Sequence, residues 1–105
     1  MLIQEIDENK KRYLHLLLLA DEQEDMVDRY LERGTMYVLD DNGVKAECIV
    51  TDEGNGVLEI KNIATLPDYQ KQGYARKLID FLVAKYSEQY SCLLYTSPSP
   101  RDTER

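Results

Sequence analysis

The chain has 105 residues, 43% of them hydrophobic and 31% charged. That is one domain's length and an ordinary globular composition, too apolar for a disordered segment. A formal net charge of −7 argues against a fold-wide grip on nucleic acid or an anionic membrane, and the longest apolar run, Leu16 to Ala20, is far short of the ~20 residues of a membrane span.

Leu2 to Ile6 alternates apolar and polar residues and is expected as a first strand. The same opening stretch lacks the basic start and apolar core of a signal peptide, so a cytoplasmic location is expected. Lys10 to Ala20 has helical composition, with Tyr13, Leu14, Leu17 and Leu18 as its expected core face. His15 has no Cys, His or carboxylate partner at helical ligand spacing and reads as structural rather than catalytic. Asp21 and Glu24 have the spacing of a capping box, with Asp21 as N-cap and Glu24 at N3. Met26, Val27, Tyr30 and Leu31 then form a narrow amphipathic stripe, and Gly34 stands where a C-terminal cap belongs. Glu22, Glu24 and Asp25 suit the helix dipole and read as a solvated face rather than a patch for a basic substrate.

Thr35 to Asp40 and Val44 to Thr51 are β-rich, and Asn42-Gly43 between them is a hairpin signal. Cys48 reads as a small buried hydrophobe. With Cys92 it is too little for a disulfide framework and wrongly spaced for zinc, so no metal is expected. Gly54-Asn55-Gly56 marks a second turn. Val57 to Thr65 comes next as the third strand of the meander, ended by Pro67, which cannot donate to a ladder. From Gly73 the period becomes helical. Ala75, Leu78, Ile79, Leu82 and Tyr86 make the apolar face, with Lys77, Asp80 and Lys85 opposite. The order is β-α-α-β-β-β-α.

The end of the chain is different in kind. Cys92 to Asp102 reads Cys-Leu-Leu-Tyr-Thr-Ser-Pro-Ser-Pro-Arg-Asp, which resembles, in order, the translation of a transposase-type sequencing-library adapter. The expectation is therefore a natural domain over 1–91 and a non-native tail over 92–105. Arg101 and Arg105 balance Asp102 and Glu104, so the natural part keeps the whole net charge. Cys92 to Tyr95 are strand-compatible and are expected to dock where a natural strand belongs. Pro98 and Pro100 should leave 98–105 irregular.

The stretch carrying chemistry runs from Leu58 to Leu82. A strand passes through Leu66-Pro67-Asp68-Tyr69 into Gln70-Lys71-Gln72-Gly73-Tyr74-Ala75-Arg76 and straight into a helix. Unpaired N–H groups and the positive end of a helix dipole form a site for phosphate. Gly73 lets an anion approach the backbone, and Lys71, Arg76 and Lys77 add positive charge to an acidic protein. The segment is neither the dinucleotide fingerprint nor a P-loop. The spacing alone fits an anion site and a tight turn equally well.

With Gln70, Gly73 and Ala75 in its three fixed positions, the segment resembles the acetyl-CoA-binding motif of the GNAT superfamily of N-acyltransferases, Gln/Arg-x-x-Gly-x-Gly/Ala. The preceding Asn-Ile-Ala-Thr-Leu-Pro resembles that family's strand end. The resemblance implies an α/β (α+β) GNAT-like acyl-CoA N-acyltransferase fold with a mixed, mostly antiparallel sheet, here its N-terminal two-thirds. It implies acetyl-CoA as co-substrate. The amides of Lys71, Gln72, Gly73, Tyr74, Ala75 and Arg76 would bind the pyrophosphate. Ile63, Ala64 and Thr65 would hydrogen-bond the pantetheine arm, and an N–H there would hold the thioester carbonyl oxygen.

The acceptor implied is a small-molecule or peptide amine. Such an amine is mostly protonated at neutral pH, so a base must take its proton. Glu59, five positions before Ala64, is the candidate, on the strand face expected to carry Val57, Lys61 and Ile63. It is equally readable as a surface acid paired with Lys45 or Lys61. The family's usual acid, a tyrosine in a later helix, has no counterpart before residue 92. Three readings stand open: an N-acetyltransferase, a non-catalytic acyl-CoA sensor, and an inactive fragment of such an enzyme.

Overall fold

The computed structural model describes residues 1–95. The expectation for Pro98, Pro100 and the rest of 98–105 lies outside the described residues. Five strands form one sheet: β1 (Leu2–Ile6), β2 (Thr35–Asp40), β3 (Val44–Gly54), β4 (Val57–Thr65) and β5 (Cys92–Tyr95). Their spatial order is the order along the chain. β1 to β4 pair antiparallel, and β5 runs parallel to β4. The fold is the expected α+β arrangement with a mixed, mostly antiparallel sheet.

Three helices cover the sheet: α1 (Leu14–Ala20), α2 (Glu24–Leu31) and α3 (Tyr74–Tyr86). Strand alternation sorts the core into two layers. Met36, Val38 and Ile49 point to Leu17 of α1 and to Val27, Tyr30 and Leu31 of α2. Tyr37, Leu39, Cys48, Val50, Leu58 and Ile60 point to Leu78 and Leu82 of α3. Burial also pushes the Cys48 thiol up from its ordinary pKa, which keeps it an inert hydrophobe.

Several local expectations are corrected. Lys10–Tyr13 winds as a 3₁₀ turn before α1. At three residues per turn rather than 3.6, that turn rotates the face beyond it by roughly 80° over four residues. Leu16, Leu17 and Ala20 therefore take the core, while Tyr13, Leu14 and Leu18 pack at its margin. The capping box does not form. Gln23 is the N-cap of α2 and makes no side-chain cap bond. Asp21 is buried instead, accepting from the Gln23 N–H at 3.4 Å and the Tyr30 hydroxyl at 3.3 Å. Glu24 pairs with Lys11 at 2.8 Å.

Gly34 closes α2 by donating its N–H to the Tyr30 carbonyl at 2.9 Å. It is not among the left-handed glycines; the need here is for space. A Cβ would lie 2.7 Å from Ile49 Cγ2 and 2.8 Å from the Tyr30 carbonyl oxygen. The Lys10 ammonium, itself buried, donates to the carbonyls of Leu31 and Gly34 at 2.7 and 2.9 Å. It thus satisfies acceptors that a helix end leaves over.

Candidate active site

The site is built on β4 and on the loop that joins it to α3. β3 borders β4 over its whole length, but β5 pairs only with Val57 to Ile60. From Lys61 to Thr65 the other edge of β4 has no strand partner among the described residues. The ladder with β3 also slips there. Ile49 faces Asn62 and the next residue, Val50, faces Ile60, so Lys61 is an extra, bulged residue. An open strand edge beside a bulge presents backbone donors and acceptors to an extended ligand.

That edge leads into the anion-binding geometry. Leu66 leaves the strand with its N–H on the Lys45 carbonyl at 2.9 Å, and Pro67–Tyr69 form a 3₁₀ turn. The Gln70 side chain donates back to the Thr65 carbonyl at 3.3 Å, tying the loop to the strand end. Lys71 (φ 68°) and Gly73 (φ 87°) are both left-handed, and a Cβ on Gly73 would meet nothing within 4 Å. The loop is therefore open on that side. The first intrahelical bond of α3 runs from the Lys77 N–H to the Gly73 carbonyl at 3.0 Å. The N–H groups of Tyr74, Ala75 and Arg76 accordingly have no partner within the helix. Gln70, Lys71, Gln72, Gly73 and Arg76 are exposed, Ala75 is half-buried, and Tyr74 is buried.

Sequence reasoning missed what anchors this loop. The Tyr74 hydroxyl donates to Asp41 at 2.7 Å, which raises its pKa. Lys45 sits 4.5 Å over the Tyr69 ring, and Tyr69 and Tyr74 rings lie 6.5 Å apart. The loop is thus held by the β2–β3 hairpin, from a distant part of the chain. No local spacing signals such a contact.

Ile63, Ala64 and Thr65 stand at the open edge, next to the loop. Glu59 does not share a face with Ile63. Ile60 and Ile63 both point to the α3 side, because the bulge at Lys61 resets the alternation between them. Glu59 points to the α1–α2 side, and Lys61 Nζ lies 3.0 Å from its carboxylate. Lys61 also approaches Glu53 at 4.0 Å, and Arg33 reaches Glu53 at 3.4 Å. Lys45 is engaged elsewhere, on the Asn42 carbonyl and Tyr69.

The same side of the sheet holds a group the sequence did not single out. Glu47 of β3 is wholly buried, and neither carboxyl oxygen has a hydrogen-bond partner. Its register partner on β4 is Ala64. Asn62 donates to the Leu17 carbonyl at 3.0 Å and the Tyr30 hydroxyl at 2.9 Å, while its own Oδ1 is unpartnered. Burial drives the Glu47 pKa well above the usual carboxylate range. An acid set among the apolar residues Ala46, Cys48, Ile49 and Val50 of β3 was the available signal.

An apolar groove of about 260 Å³ lies between Leu58, Leu82, Val83, Tyr86, Tyr90 and Leu93. It adjoins the start of β4, at the opposite end from the loop, and is separate from this site.

Comparison with known proteins agrees with the geometry. The family model for the acetyltransferase (GNAT) domain matches residues 32–103. An uncharacterized N-acetyltransferase of Bacillus subtilis (strain 168), YvbK, is 34% identical over 74 residues, which is 70% of this chain and 48% of that protein. The chain thus spans about half the length of this curated relative. The structure of a GNAT family acetyltransferase from Elizabethkingia anophelis with acetyl-CoA bound superposes with a TM-score of 0.85 at 27% identity, covering 97% of this chain and 69% of that one. A Bacillus subtilis acetyltransferase in complex with CoA gives 0.73 at 31% identity, covering 82% and 57%. With its motif at an open strand edge and a family match over most of its length, the chain belongs to the GNAT acetyltransferase family.

Proposed function

We propose that the protein of which this chain is part is an acetyl-CoA-dependent N-acetyltransferase acting on a primary amine. The observation carrying this reading is the continuity of the open β4 edge, Lys61 to Thr65, with the loop and free N–H groups ending at Arg76. The pantetheine arm adds along Ile63, Ala64 and Thr65 as a further strand, and the pyrophosphate sits against the amides of Lys71 to Arg76. Two similar structures hold acetyl-CoA or CoA, which supports the same use of this loop.

An N–H of the Ile63–Thr65 segment holds the thioester oxygen as it gains charge. The amine nitrogen attacks the thioester carbon, the C–S bond breaks, and CoA leaves as the thiolate, which an acid from the family's later helix protonates. Glu59 takes the amine proton through water. At ~3.3 Å per residue it lies about 13 Å along β4 from Ile63, so the proton must pass along a chain of waters. The chain is, on this reading, a GNAT domain over 1–91 with a non-native tail over 92–105, acting in the cytoplasm.

Isothermal calorimetry with acetyl-CoA tests the cofactor site, and thiol release with a panel of amines tests turnover by the uninterrupted parent. Binding with no turnover on any amine would make the protein a sensor.

A further inference from the structure

We propose that Glu47 and Asn62 form the receiving site for the ammonium group of the acceptor. This rests on the acetyltransferase reading and names the chemistry its second substrate must have. Two observations carry it. The first is the donor balance: both Glu47 oxygens and Asn62 Oδ1 are buried acceptors without a donor. A buried acceptor left unpaired is costly, and such groups persist where they serve a ligand. Once Glu47 is ionised, the three oxygens only accept and fit a group that only donates; a primary ammonium brings three N–H bonds.

The second is position. Glu47 pairs in register with Ala64, so their Cβ atoms are about 5 Å apart. Asn62 stands opposite Ile49, two residues along β3 from Glu47, which makes Glu47 and Asn62 diagonal neighbours on one face. Ala64 lies in the segment proposed to carry the thioester. The α3 face at this level is filled by Ile63, Tyr74 and Leu78. An amine approaching the thioester from the other face meets Glu47 and Asn62.

The ionisable groups packed into the covering layer are Lys10, Tyr13, Asp21 and Tyr30, with Lys10 bonded to the Leu31 and Gly34 carbonyls. Tyr30 is bonded to both Asn62 and Asp21. The cover over the pair is short: α1 has seven residues, α2 has eight, and residues 21–23 join them. Asp21 ties that connection down by long side-chain bonds, 3.3 Å to Tyr30 and 3.4 Å to the Gln23 N–H, and by its own N–H on the Leu17 carbonyl at 3.2 Å. Entry of the amine displaces this connection. In the closed protein burial favours the neutral acid of Glu47. As the ammonium arrives, Glu47 gives its proton to solvent and becomes the carboxylate that faces the cation. Binding therefore releases one proton for each amine bound.

The test uses the full chain. n-Butylamine and spermidine are titrated by calorimetry, with and without CoA, in two buffers of different ionisation enthalpy. Wild type should release close to one proton per amine bound. Glu47→Gln should release none and bind at least tenfold more weakly, while melting at the same or a higher temperature, because it removes an unpaired buried acid. Glu47→Met should behave alike if Gln packs poorly. Equal proton release in wild type and Glu47→Gln, a large drop in melting temperature for both variants, or no amine binding by a chain that binds CoA would each overturn the proposal. Failure to bind CoA, with Glu47-dependent amine binding intact, would instead overturn the cofactor reading.

Discussion

Gly73 is the residue on which the cofactor site turns. Its φ of 87° suits glycine, and the space its Cβ would occupy is open. Gly73→Glu puts a charged side chain where an anion must lie and strains the backbone as well. Affinity for acetyl-CoA should fall more than tenfold by calorimetry, with the circular dichroism spectrum kept. Gly73→Ala, which adds strain without charge, should lose less. Glu59 poses a different question, since Lys61 neutralises it at 3.0 Å. Glu59→Gln in the uninterrupted parent should lower kcat by ~10²–10⁴ if it is the main base, with the KM for acetyl-CoA nearly unchanged. An unchanged kcat and pH–rate profile would leave it as no more than the ion-pair partner of Lys61.

At the scale of elements, the junction of α2 with β2 is the tightest fit. Gly34 packs directly on Ile49 and the Tyr30 carbonyl, and Lys10 closes the same helix end from a distant part of the chain. Gly34→Ala forces one of those contacts to move. Overpacking of this kind costs about 1–3 kcal/mol. For a chain of this length the melting temperature should fall by roughly 5–20 °C, which differential scanning calorimetry would register. A melting temperature at the wild-type value would mean that Ile49 yields freely. The glycine was legible as a helix end, but its reason was not, because spacing along the chain says nothing of which side chain lies across the gap. The same holds for Asp21. Its spacing to Glu24 fits a capping box, but the Tyr30 hydroxyl draws it into a tertiary contact.

At the scale of the whole molecule, Glu47 sets a pH dependence. Its pKa is raised in the folded protein by burial, so between the ordinary carboxylate value and the raised one the folded state binds more protons than the unfolded. Stability then falls as pH rises through that window. The Glu47 contribution is fully present below the ordinary value and is lost progressively above it. Melting temperatures of wild type and Glu47→Gln should diverge with increasing pH, the variant gaining. Parallel curves would show that Glu47 does not titrate in this way. Turnover is also a whole-molecule property. The chain spans 48% of YvbK and 57% to 69% of the two similar structures. Residues 1–105 alone should therefore show no measurable acetyl transfer, because the family resemblance places the acid for the leaving thiolate, a tyrosine in a later helix, beyond residue 91. A kcat close to that of the uninterrupted protein would sink both this and the division at residue 91.

Much of the fold was determined by the sequence alone, because it rests on contacts near in the chain. The order of strands and helices, the Asn42-Gly43 hairpin, the apolar face of α3 and the Gln70-to-Arg76 loop are local patterns, and all are where their residues require. The tertiary structure decided what depends on residues far apart. The bulge at Lys61 arises from the register between β3 and β4, and it moved Glu59 to the opposite face from Ile63. The anchoring of Tyr74 by Asp41, and of Tyr69 by Lys45, joins the cofactor loop to a hairpin far back in the chain. Glu47 reads as one charge in a mixed strand until two short helices close over it. Burial is a property of everything packed around a group, and no stretch of sequence contains that.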